Sequence, residues 1–360
     1  MAPPTVRLPK SLLGRHRLLA PTAGVFVSPI CLGTMNFGSV MNDSLGECTK
    51  ETAFEILDYF YKQGGNFLDT ASSYQGEESE KWLGEWLSKT GRRDEFQSNF
   101  GGNGSKSLHL SVEASLKKLQ TTYIDLLYLH FWDMTTDIPE IMQSLNHLVS
   151  SGKVLYLGIS DTPAWIVVKC NEYARQHGLR QFSVYQGRWS AADRDFERDI
   201  IPMCRAEGMG LAPWGTLGRG LFKPKDQIKV GGRNMPSMNN GREVLVSEKL
   251  EEIANDKGAP ITSVALAYVL HKSPYVFPIL GGRKLDHVRG NIEALGLRLT
   301  SQDIEDIETA YPFDVGFPHN FLSGNTNRGP RGPGDVRTAN VRGLFDYVDD
   351  IHPILPSLED

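Results

Sequence analysis

Short apolar or β-branched runs alternate with longer amphipathic stretches from residue 30 onward. Seven of the short runs have the length and composition of buried strands. They lie at residues 29–37, 66–72, 124–131, 154–160, 182–189, 210–216 and 275–282. The amphipathic stretches predict helices near residues 50–64, 77–90, 106–121, 138–151, 163–178, 194–208 and 284–294, with an extra pair near 246–257 and 260–272. This alternation predicts repeated strand–helix units and a parallel sheet.

The spacing of the seven strands leaves one place empty. A closed parallel barrel needs eight strands, and the gap falls between the helices at 77–90 and 106–121. The intervening sequence, "GRRDEFQSNFGGNGSKS", contains only Phe96 and Phe100 as large apolar residues. A strand that is buried on both faces should instead be a nearly continuous Val, Ile and Leu run. The pattern therefore predicts an α/β fold, a (β/α)8 TIM barrel whose third strand is missing or rudimentary.

Length and composition are those of one globular unit. The chain has 360 residues, of which 40% are hydrophobic and 22% are charged, and such barrels often use 250 residues or more as one domain. We expect a single domain over residues 1–360, with a core at about 15–310. The sequence "GNTNRGPRGPGD" indicates that residues 311–360 form an irregular C-terminal tail.

Charge and cysteine usage narrow the class of partner. The net charge of −5 supplies no basic excess for nucleic acid or anionic membranes, so a small molecule is the expected partner. No apolar run approaches the roughly 18 residues of a membrane span, and no secretory signal is evident. The four cysteines are widely scattered and no metal-ligand spacing occurs, which predicts reduced thiols, no bound metal and a cytoplasmic protein. The oligomeric state cannot be inferred.

Three ionisable residues follow predicted strands. Asp69 and Tyr74 come after the second strand, and His130 ends the fourth. Because functional groups project from the carboxyl ends of barrel strands, we expect these side chains to share one pocket. Each has an ordinary alternative role, since an Asp often caps a helix, a Tyr often packs half-buried, and a lone His is often a satisfied core residue.

Several long motifs carry a family resemblance. They include "GGNFLDTASSYQGEESEKWLGEWL", "IDLLYLHFWD", "GISDTPAW", "LAPWGTLGRG" and "ILGGRKLDHVRGNIEAL". Over about residues 15–310 the chain resembles the aldo-keto reductase family, and within it the fungal branch of aryl-alcohol dehydrogenases and norsolorinic acid reductase-like enzymes. The resemblance implies an NADPH-dependent oxidoreductase that reduces an aromatic aldehyde or polyketide ketone to an alcohol, in fungal secondary metabolite biosynthesis.

The resemblance also implies residue roles. Tyr74 would protonate the carbonyl oxygen, His130 would bind and orient the substrate, and Asp69 would pair with a catalytic lysine near the nicotinamide ribose. Ser160, Asp161 and Gln186 would hold the nicotinamide of NADP(H), and Trp214 would stack beneath it. A loop of Gly215, Thr216, Leu217, Gly218, Arg219 and Gly220 would pass over the pyrophosphate. The adenosine 2'-phosphate and adenine would be held by Gly281, Gly282, Arg283, Lys284, His287 and Asn291.

The catalytic lysine of the family has no counterpart in this sequence. It should end the third strand, but residues 92–103 contain no lysine, and Lys106 falls in the following predicted helix as an expected surface residue. Without the cation we expect Asp69 to raise the pKa of Tyr74 and weaken the acid. Two alternatives therefore stay open. Either the chain is a catalytically impaired homologue that binds a nucleotide or a protein, or the segment with the third strand is missing near residues 96 and 97 because of a gene-model or splicing artefact.

Overall fold

The computed structural model describes residues 8–91, 104–227, 241–324, 329–330, 332–343, 346–347 and 352–355. Nine strands occur among these residues. They are β1 (Arg17–Ala20), β2 (Ala23–Val27), β3 (Cys31–Gly33), β4 (Leu68–Asp69), β5 (Ile124–Leu129), β6 (Val154–Ser160), β7 (Phe182–Arg188), β8 (Gly210–Trp214) and β9 (Ile279–Gly281). Strands β3 to β9 match the seven predicted runs.

The seven strands β3 to β9 are parallel to their neighbours and fall into two sheets. One has the order β4-β3-β9 and the other the order β5-β6-β7-β8. A parallel bridge from Leu211 to Val276 joins β8 to the chain just before β9. The resulting order, β4-β3-β9-β8-β7-β6-β5, is that of a (β/α)8 barrel with its ends at β4 and β5. The prediction of a missing or rudimentary third strand concerns residues 92–103, which lie outside the described residues.

Thirteen α-helices occur among the described residues. They are α1 (Asn42–Leu45), α2 (Lys50–Lys62), α3 (Glu78–Thr90), α4 (Ser105–Lys118), α5 (Ile138–Ser150), α6 (Ala164–His177), α7 (Ile200–Glu207), α8 (Arg242–Lys257), α9 (Ile261–Leu270), α10 (Leu285–Glu293), α11 (Ser301–Ala310), α12 (His319–Leu322) and α13 (Arg337–Asn340). Helix α5 begins where the Asp137 side chain accepts a hydrogen bond from the Glu140 N–H. Helix α6 ends where Gly178 adopts a left-handed conformation.

The structure adds the four-residue helices α1, α12 and α13 to those predicted, and it departs from the prediction in two further places. Residues 194–208 form a 3-10 turn at Asp195–Glu197 and a shorter α7 that begins at Ile200. Pro202 lies in the first turn of α7, where its missing N–H does no harm, and it would break a helix that began further upstream. The hydrophobic pattern does not predict α11, which starts with a capping box between Thr300 and Asp303.

An N-terminal hairpin of β1 and β2 closes the end of the barrel opposite the carboxyl ends of the strands. The backbone of β1 passes so near β8 that a Cβ placed on Gly210 would lie 2.3 Å from the Leu19 carbonyl oxygen. Apolar side chains from the hairpin continue the interior of the barrel, which also contains Leu126, Val184 and Phe277. The interior next to the hairpin is therefore packed, as expected for a barrel whose ligands bind at the carboxyl ends of its strands.

A buried ionic cluster anchors the loop that follows β7. Arg194 Nη2 lies 2.9 Å from Glu197 Oε2, and Lys272 Nζ lies 3.0 Å from the same oxygen. Lys272 and Arg194 also contact Glu308 on α11. Burial alone would raise the pKa of Glu197, but the charges of Lys272 and Arg194 lower it below its usual value. The cluster fixes this loop against α9 and α11, beside the carboxyl end of β7.

The contact between α3 and α4 leaves no room for a side chain at Gly84. A Cβ at this position would lie 2.2 Å from the Lys118 carbonyl oxygen and 2.7 Å from Leu119 Cα. We expect Gly84→Ala to lower the free energy of unfolding by about 1–3 kcal/mol, because backbone atoms must separate. Urea unfolding followed by circular dichroism measures this change.

Gly290→Ala is the matched control for Gly84→Ala. Gly290 also lies in a helix, α10, and a Cβ there would meet no atom within 4 Å. The substitution should raise the free energy of unfolding by about 0.5–1 kcal/mol, because alanine has the higher helix propensity. If both variants shift stability in the same direction, the close contact of α3 with α4 is not the determining factor.

Candidate active site

Asp69, Tyr74 and His130 meet at the carboxyl ends of the strands, as the sequence predicts. Asp69 is the last residue of β4, Tyr74 begins a 3-10 turn at Tyr74–Glu77, and His130 directly follows β5. The rings of Tyr74 and His130 stand edge to face, with centroids 6.5 Å apart. One pocket lies between them. Its lining residues are Asp69, Thr70, Ala71, Tyr74, Tyr128, His130, Ser160 and Gln186.

A hydrogen bond crosses the floor of this pocket. Gln186 Nε2, on β7, donates to Asp69 Oδ1, on β4, over 3.0 Å. Both residues are buried, so the bond is shielded from water. It links the three-stranded sheet to the four-stranded sheet through the interior of the barrel. The carboxylate at the centre of the site therefore has an amide donor on its β7 side.

The turn that carries Tyr74 is held by a side chain that sequence reasoning missed. Gln75, Gly76 and Glu77 have φ values of 52°, 58° and 76°, a left-handed run that glycine alone adopts easily. The Gln75 side chain is buried, donates to the Met35 carbonyl at 3.0 Å, and accepts from the Met41 N–H at 2.7 Å. Its amide thus fastens the loop after β3 to the turn. A Gln within a polar stretch gives no sequence signal of such burial.

Burial and two carboxylates determine the acidity of Tyr74. Burial raises its pKa well above the ordinary value, and the charges of Asp69 and Asp161 raise it further. The phenol is therefore protonated throughout the neutral range. This agrees with the expectation that Asp69 weakens the acid, and it adds Asp161 as a second contributor. Lys106, the remaining sequence candidate for the cation, is exposed at the start of α4, as expected.

Asp161 connects the pocket to the predicted cofactor residues. It follows β6 with φ of 41°, and its N–H donates to the Gln186 carbonyl at 3.1 Å. Partial burial raises the pKa of its carboxyl, whereas the charge of His130 opposes that rise most strongly. The charge of Arg188 acts in the same direction, and the side chains of Ser160 and Trp214 lie near enough to the carboxyl to lower its pKa further. Ser160, Asp161, Gln186 and Trp214 are therefore grouped beside Tyr74 and His130.

The backbone of the loop after β8 is suited to binding an anion. Gly215, Gly218 and Gly220 have φ values of 74°, 65° and 85°. Side chains there would be strained, so the glycines leave the backbone accessible. Thr216 is 1% exposed, and its hydroxyl finds no hydrogen-bond partner within the part of the chain that the structure describes. This buried polar atom is suited to a bound polar group, and Leu217 lies half-buried between the glycines.

Arginines gather beside this loop around a buried carboxylate. Asp193 lies 2.7 Å from Arg242 Nη2, 3.4 Å from Arg219 Nη2 and 3.6 Å from Arg188 Nε. Glu243, also buried, lies 3.5 Å from Arg219. Asp193, Arg188 and Arg242 were not among the residues predicted for the site, because they come from two distant segments, the end of β7 with its following loop and the start of α8, that only the fold brings together. The cluster fixes the arginine of the loop in place.

The residues predicted to hold the adenosine end of the cofactor lie at the rim of the barrel, where β9 meets α10. A Cβ on Gly281 would lie 3.6 Å from Asn36 Nδ2, and one on Gly282 would lie 3.2 Å from His287 Cβ. Arg283 and Lys284 are exposed, and Asn291 is half-buried on α10. Partial burial lowers the pKa of His287, and the charges of Lys284 and Arg283 lower it further. The group lies on the same rim as the pocket but does not line it.

Comparison with known proteins identifies the family. Residues 29–312 match the model of the aldo/keto reductase family. The chain is 58% identical over 365 residues to aryl-alcohol dehydrogenase GME11368 of Pestalotiopsis microspora, covering 96% of this chain and 94% of that protein. It is 56% identical over 369 residues to norsolorinic acid reductase B of Dothistroma septosporum, covering 95% and 94%. With a putative aryl-alcohol dehydrogenase of Saccharomyces cerevisiae, AAD14, the identity is 47% over 342 residues, covering 87% and 91%.

The chain therefore belongs to the aldo/keto reductase family and is an oxidoreductase that uses a nicotinamide cofactor. The predicted family and the predicted barrel are confirmed. Among the described residues, no helix has the length and apolarity needed to cross a membrane. Over the same residues, no group of three His, Cys, Asp or Glu side chains could hold a metal ion.

The hydrogen bonds of Gln75 should matter for both stability and catalysis. We expect Gln75→Ala to lower the free energy of unfolding by about 1–3 kcal/mol, because the Met35 carbonyl and the Met41 N–H lose their partner. We also expect a roughly 10-fold lower kcat/KM for nicotinamide-dependent carbonyl reduction, because the turn that carries Tyr74 is released. Thermal unfolding and steady-state kinetics measure the two effects.

Gln120→Ala provides the control for Gln75→Ala. Gln120 has nearly the same backbone conformation, with φ of 55°, but its side chain is exposed at the end of α4. This variant carries the same change of residue at a positive φ and should leave kcat/KM unchanged. Equal kinetic losses in both variants would show that the Gln75 side chain does not position Tyr74.

Proposed function

We propose that this protein uses NADPH to reduce an aromatic aldehyde or a polyketide ketone to the alcohol, in fungal secondary metabolite biosynthesis. The observation that carries the proposal is the single pocket shared by Tyr74, His130 and Asp69. The names of the fungal relatives, aryl-alcohol dehydrogenase and norsolorinic acid reductase, support the choice of an aromatic or polyketide carbonyl. The cytoplasmic location stays a prediction from composition.

In the proposed chemistry, Tyr74 acts as the general acid. Bound NADPH would supply the hydride for the carbonyl carbon. The Tyr74 hydroxyl gives its proton to the carbonyl oxygen, which becomes the alcohol hydroxyl, and the phenol is then restored by a proton from water. Because the pKa of Tyr74 lies above its ordinary value, the proton is present at neutral pH. His130 donates a hydrogen bond to the same oxygen and orients the substrate.

The cofactor would extend along the rim from this pocket. Ser160, Asp161 and Gln186 would hold the nicotinamide, with Trp214 stacked beneath it. The loop from Gly215 to Gly220 would cover the pyrophosphate, and the buried hydroxyl of Thr216 would gain a partner there. Gly281, Gly282, Arg283, Lys284, His287 and Asn291 would hold the adenosine end. The two adjacent cations of that group favour NADPH over NADH, since only NADPH carries the 2'-phosphate.

Tyr74→Phe tests the acid. We expect kcat for NADPH oxidation with aryl aldehydes to fall by roughly 10²- to 10⁴-fold, because the proton donor is lost while the ring is kept. The measurement is the absorbance decrease of NADPH under saturating aldehyde. Rates equal to those of the wild-type protein would exclude Tyr74 as the acid.

NADPH affinity is the control for Tyr74→Phe, measured by the quenching of protein fluorescence. It should be unchanged, because the phenol contacts the substrate and not the adenosine or the phosphates. Tight NADPH binding by the wild-type protein without turnover of any carbonyl tested would instead favour the alternative function, a nucleotide-binding homologue without catalysis.

Arg283→Ala and Lys284→Ala test the choice of cofactor. Each should raise the KM for NADPH by about 10-fold or more and leave the KM for NADH nearly unchanged, because a charge-assisted contact to the 2'-phosphate is lost. Arg289→Ala is the control, since Arg289 is exposed on α10, the helix that follows Arg283 and Lys284, and its guanidinium lies over the Tyr59 ring. A parallel loss with both cofactors would contradict the assignment.

A further inference from the structure

Asp193 is a buried carboxylate that contacts the loop after β8, and the proposed chemistry gives it no role. It lies on the turn that follows β7 and is 2% exposed. One carboxylate oxygen accepts a hydrogen bond from Arg242 Nη2 at 2.7 Å, and the other accepts one from Arg219 Nη2 at 3.4 Å. Because each oxygen has its own guanidinium, the carboxylate joins the start of α8 to the loop that contains Arg219.

The turn that carries Asp193 is itself firmly held. Ser190 Oγ accepts hydrogen bonds from the Ala192 N–H at 3.2 Å and from the Asp193 N–H at 3.0 Å. Ser190 and Asp193 are both buried, so water does not compete for these bonds. The Trp189 N–H donates to the Trp214 carbonyl at 3.2 Å, which fixes the turn to the end of β8. Asp193 therefore offers the arginines a fixed partner.

Arg219 has a backbone conformation that needs such a partner. Its φ is 55°, in the left-handed region that few residues other than glycine adopt, and it lies between Gly218 and Gly220, whose φ values are also positive. Such a conformation persists when the surroundings hold the residue in it. A Cβ on Gly215 would lie 3.5 Å from Arg219 Cγ and 3.7 Å from Arg188 Cγ. The Arg219 side chain is therefore part of the packing of its own loop.

The charge of Asp193 is opposite to what a phosphate-binding loop requires. The pyrophosphate of the cofactor is negatively charged, so a carboxylate beside the loop weakens its binding through electrostatics alone. A second buried carboxylate, Glu243, lies 3.5 Å from Arg219 Nη2. A favourable contribution of Asp193 to cofactor binding therefore comes from the position that it gives to Arg219 and to the loop backbone. Charge and position predict opposite effects when this carboxylate is neutralised.

We propose that Asp193 is a positioning residue for the cofactor: it holds Arg219, and with it the loop 215–220, in the conformation that binds the pyrophosphate. The inference rests on the proposed function, in which this loop covers the pyrophosphate. A loop that is already ordered loses less conformational entropy when its ligand binds. Because NADPH and NADH both carry the pyrophosphate, Asp193 contributes equally to the binding of the two cofactors.

Asp193→Asn tests the proposal, because the amide keeps the shape of the side chain but offers one acceptor oxygen where the carboxylate offers two. We expect the Kd values for NADPH and NADH, measured by quenching of protein fluorescence, to rise about 5- to 10-fold each. The kcat at saturating NADPH should not fall, because Tyr74 and His130 keep their places. Loss of the negative charge without a change of position would lower both Kd values. Unchanged or lower Kd values would overturn the proposal.

Adenosine 2'-monophosphate separates positioning from a general loss of structure. This probe carries the adenine and the 2'-phosphate but no pyrophosphate, so its Kd, measured by competition with NADPH, should be unchanged in Asp193→Asn. An equal loss of affinity for the probe and for NADPH would contradict positioning of the loop. Asp195→Asn is the matched control, since the Asp195 side chain is 62% exposed and pairs with Arg198. It should change none of these Kd values.

Two further variants trace the effect to Arg219. Asp193→Glu keeps the buried charge and shifts the carboxylate by one methylene, so it should raise the same two Kd values without neutralising the cluster. Asp193→Asn in an Arg219→Ala background should add little to the rise in Kd that Arg219→Ala causes alone. Wild-type Kd values for Asp193→Glu, or additive effects in the double variant, would overturn the proposal.

The two proposals can fail independently, because the Kd values are measured without turnover. A wild-type protein that binds NADPH but reduces no carbonyl would refute the proposed reduction, and the Kd values of the Asp193 variants would still decide the question of positioning. A wild-type protein that reduces aryl aldehydes, with cofactor binding unaffected in Asp193→Asn, would refute positioning alone. Failure of the wild-type protein to bind either cofactor would refute both.

Discussion

The hydrogen bond from Gln186 to Asp69 is the interaction on which the site depends. The strands form two sheets, and this bond joins them through the interior at the level where the candidate catalytic groups lie. Because both partners are buried, its loss would leave a buried carboxylate without that donor, which is costly in a low-dielectric interior. The remaining groups of the pocket, from Tyr74 to Ser160, are arranged around the two ends of this bond.

Much of the fold could be predicted because barrel strands are short, apolar and regularly spaced. The runs that end at Asp69 and His130 are recognisable from composition, and the polar residue after each run is the one that reaches the rim. The β1–β2 hairpin could not be predicted in this way. Its strands lie before the alternation of strands and helices begins, and their place is determined by contact with β8.

Site residues that directly follow a single strand could be predicted from the sequence. Residues whose role depends on the side chains packed around them could not. Gln75 is buried in a left-handed turn, where its role depends on the loop after β3. The cluster around Asp193 draws arginines from three segments distant in the chain. In each case the sequence gives the residue type but not its neighbours, and the neighbours determine whether a polar group is exposed or held.

The Gln75 amide also bears on how the site responds to ligands. One end of this side chain holds the loop after β3 and the other end belongs to the turn of Tyr74, so the two segments form one rigid unit. A molecule that presses against that loop, where Met35, Val40 and Met41 present exposed apolar surface, also shifts the phenol. Contact with the loop after β3 and the position of the Tyr74 hydroxyl are therefore coupled through one buried amide.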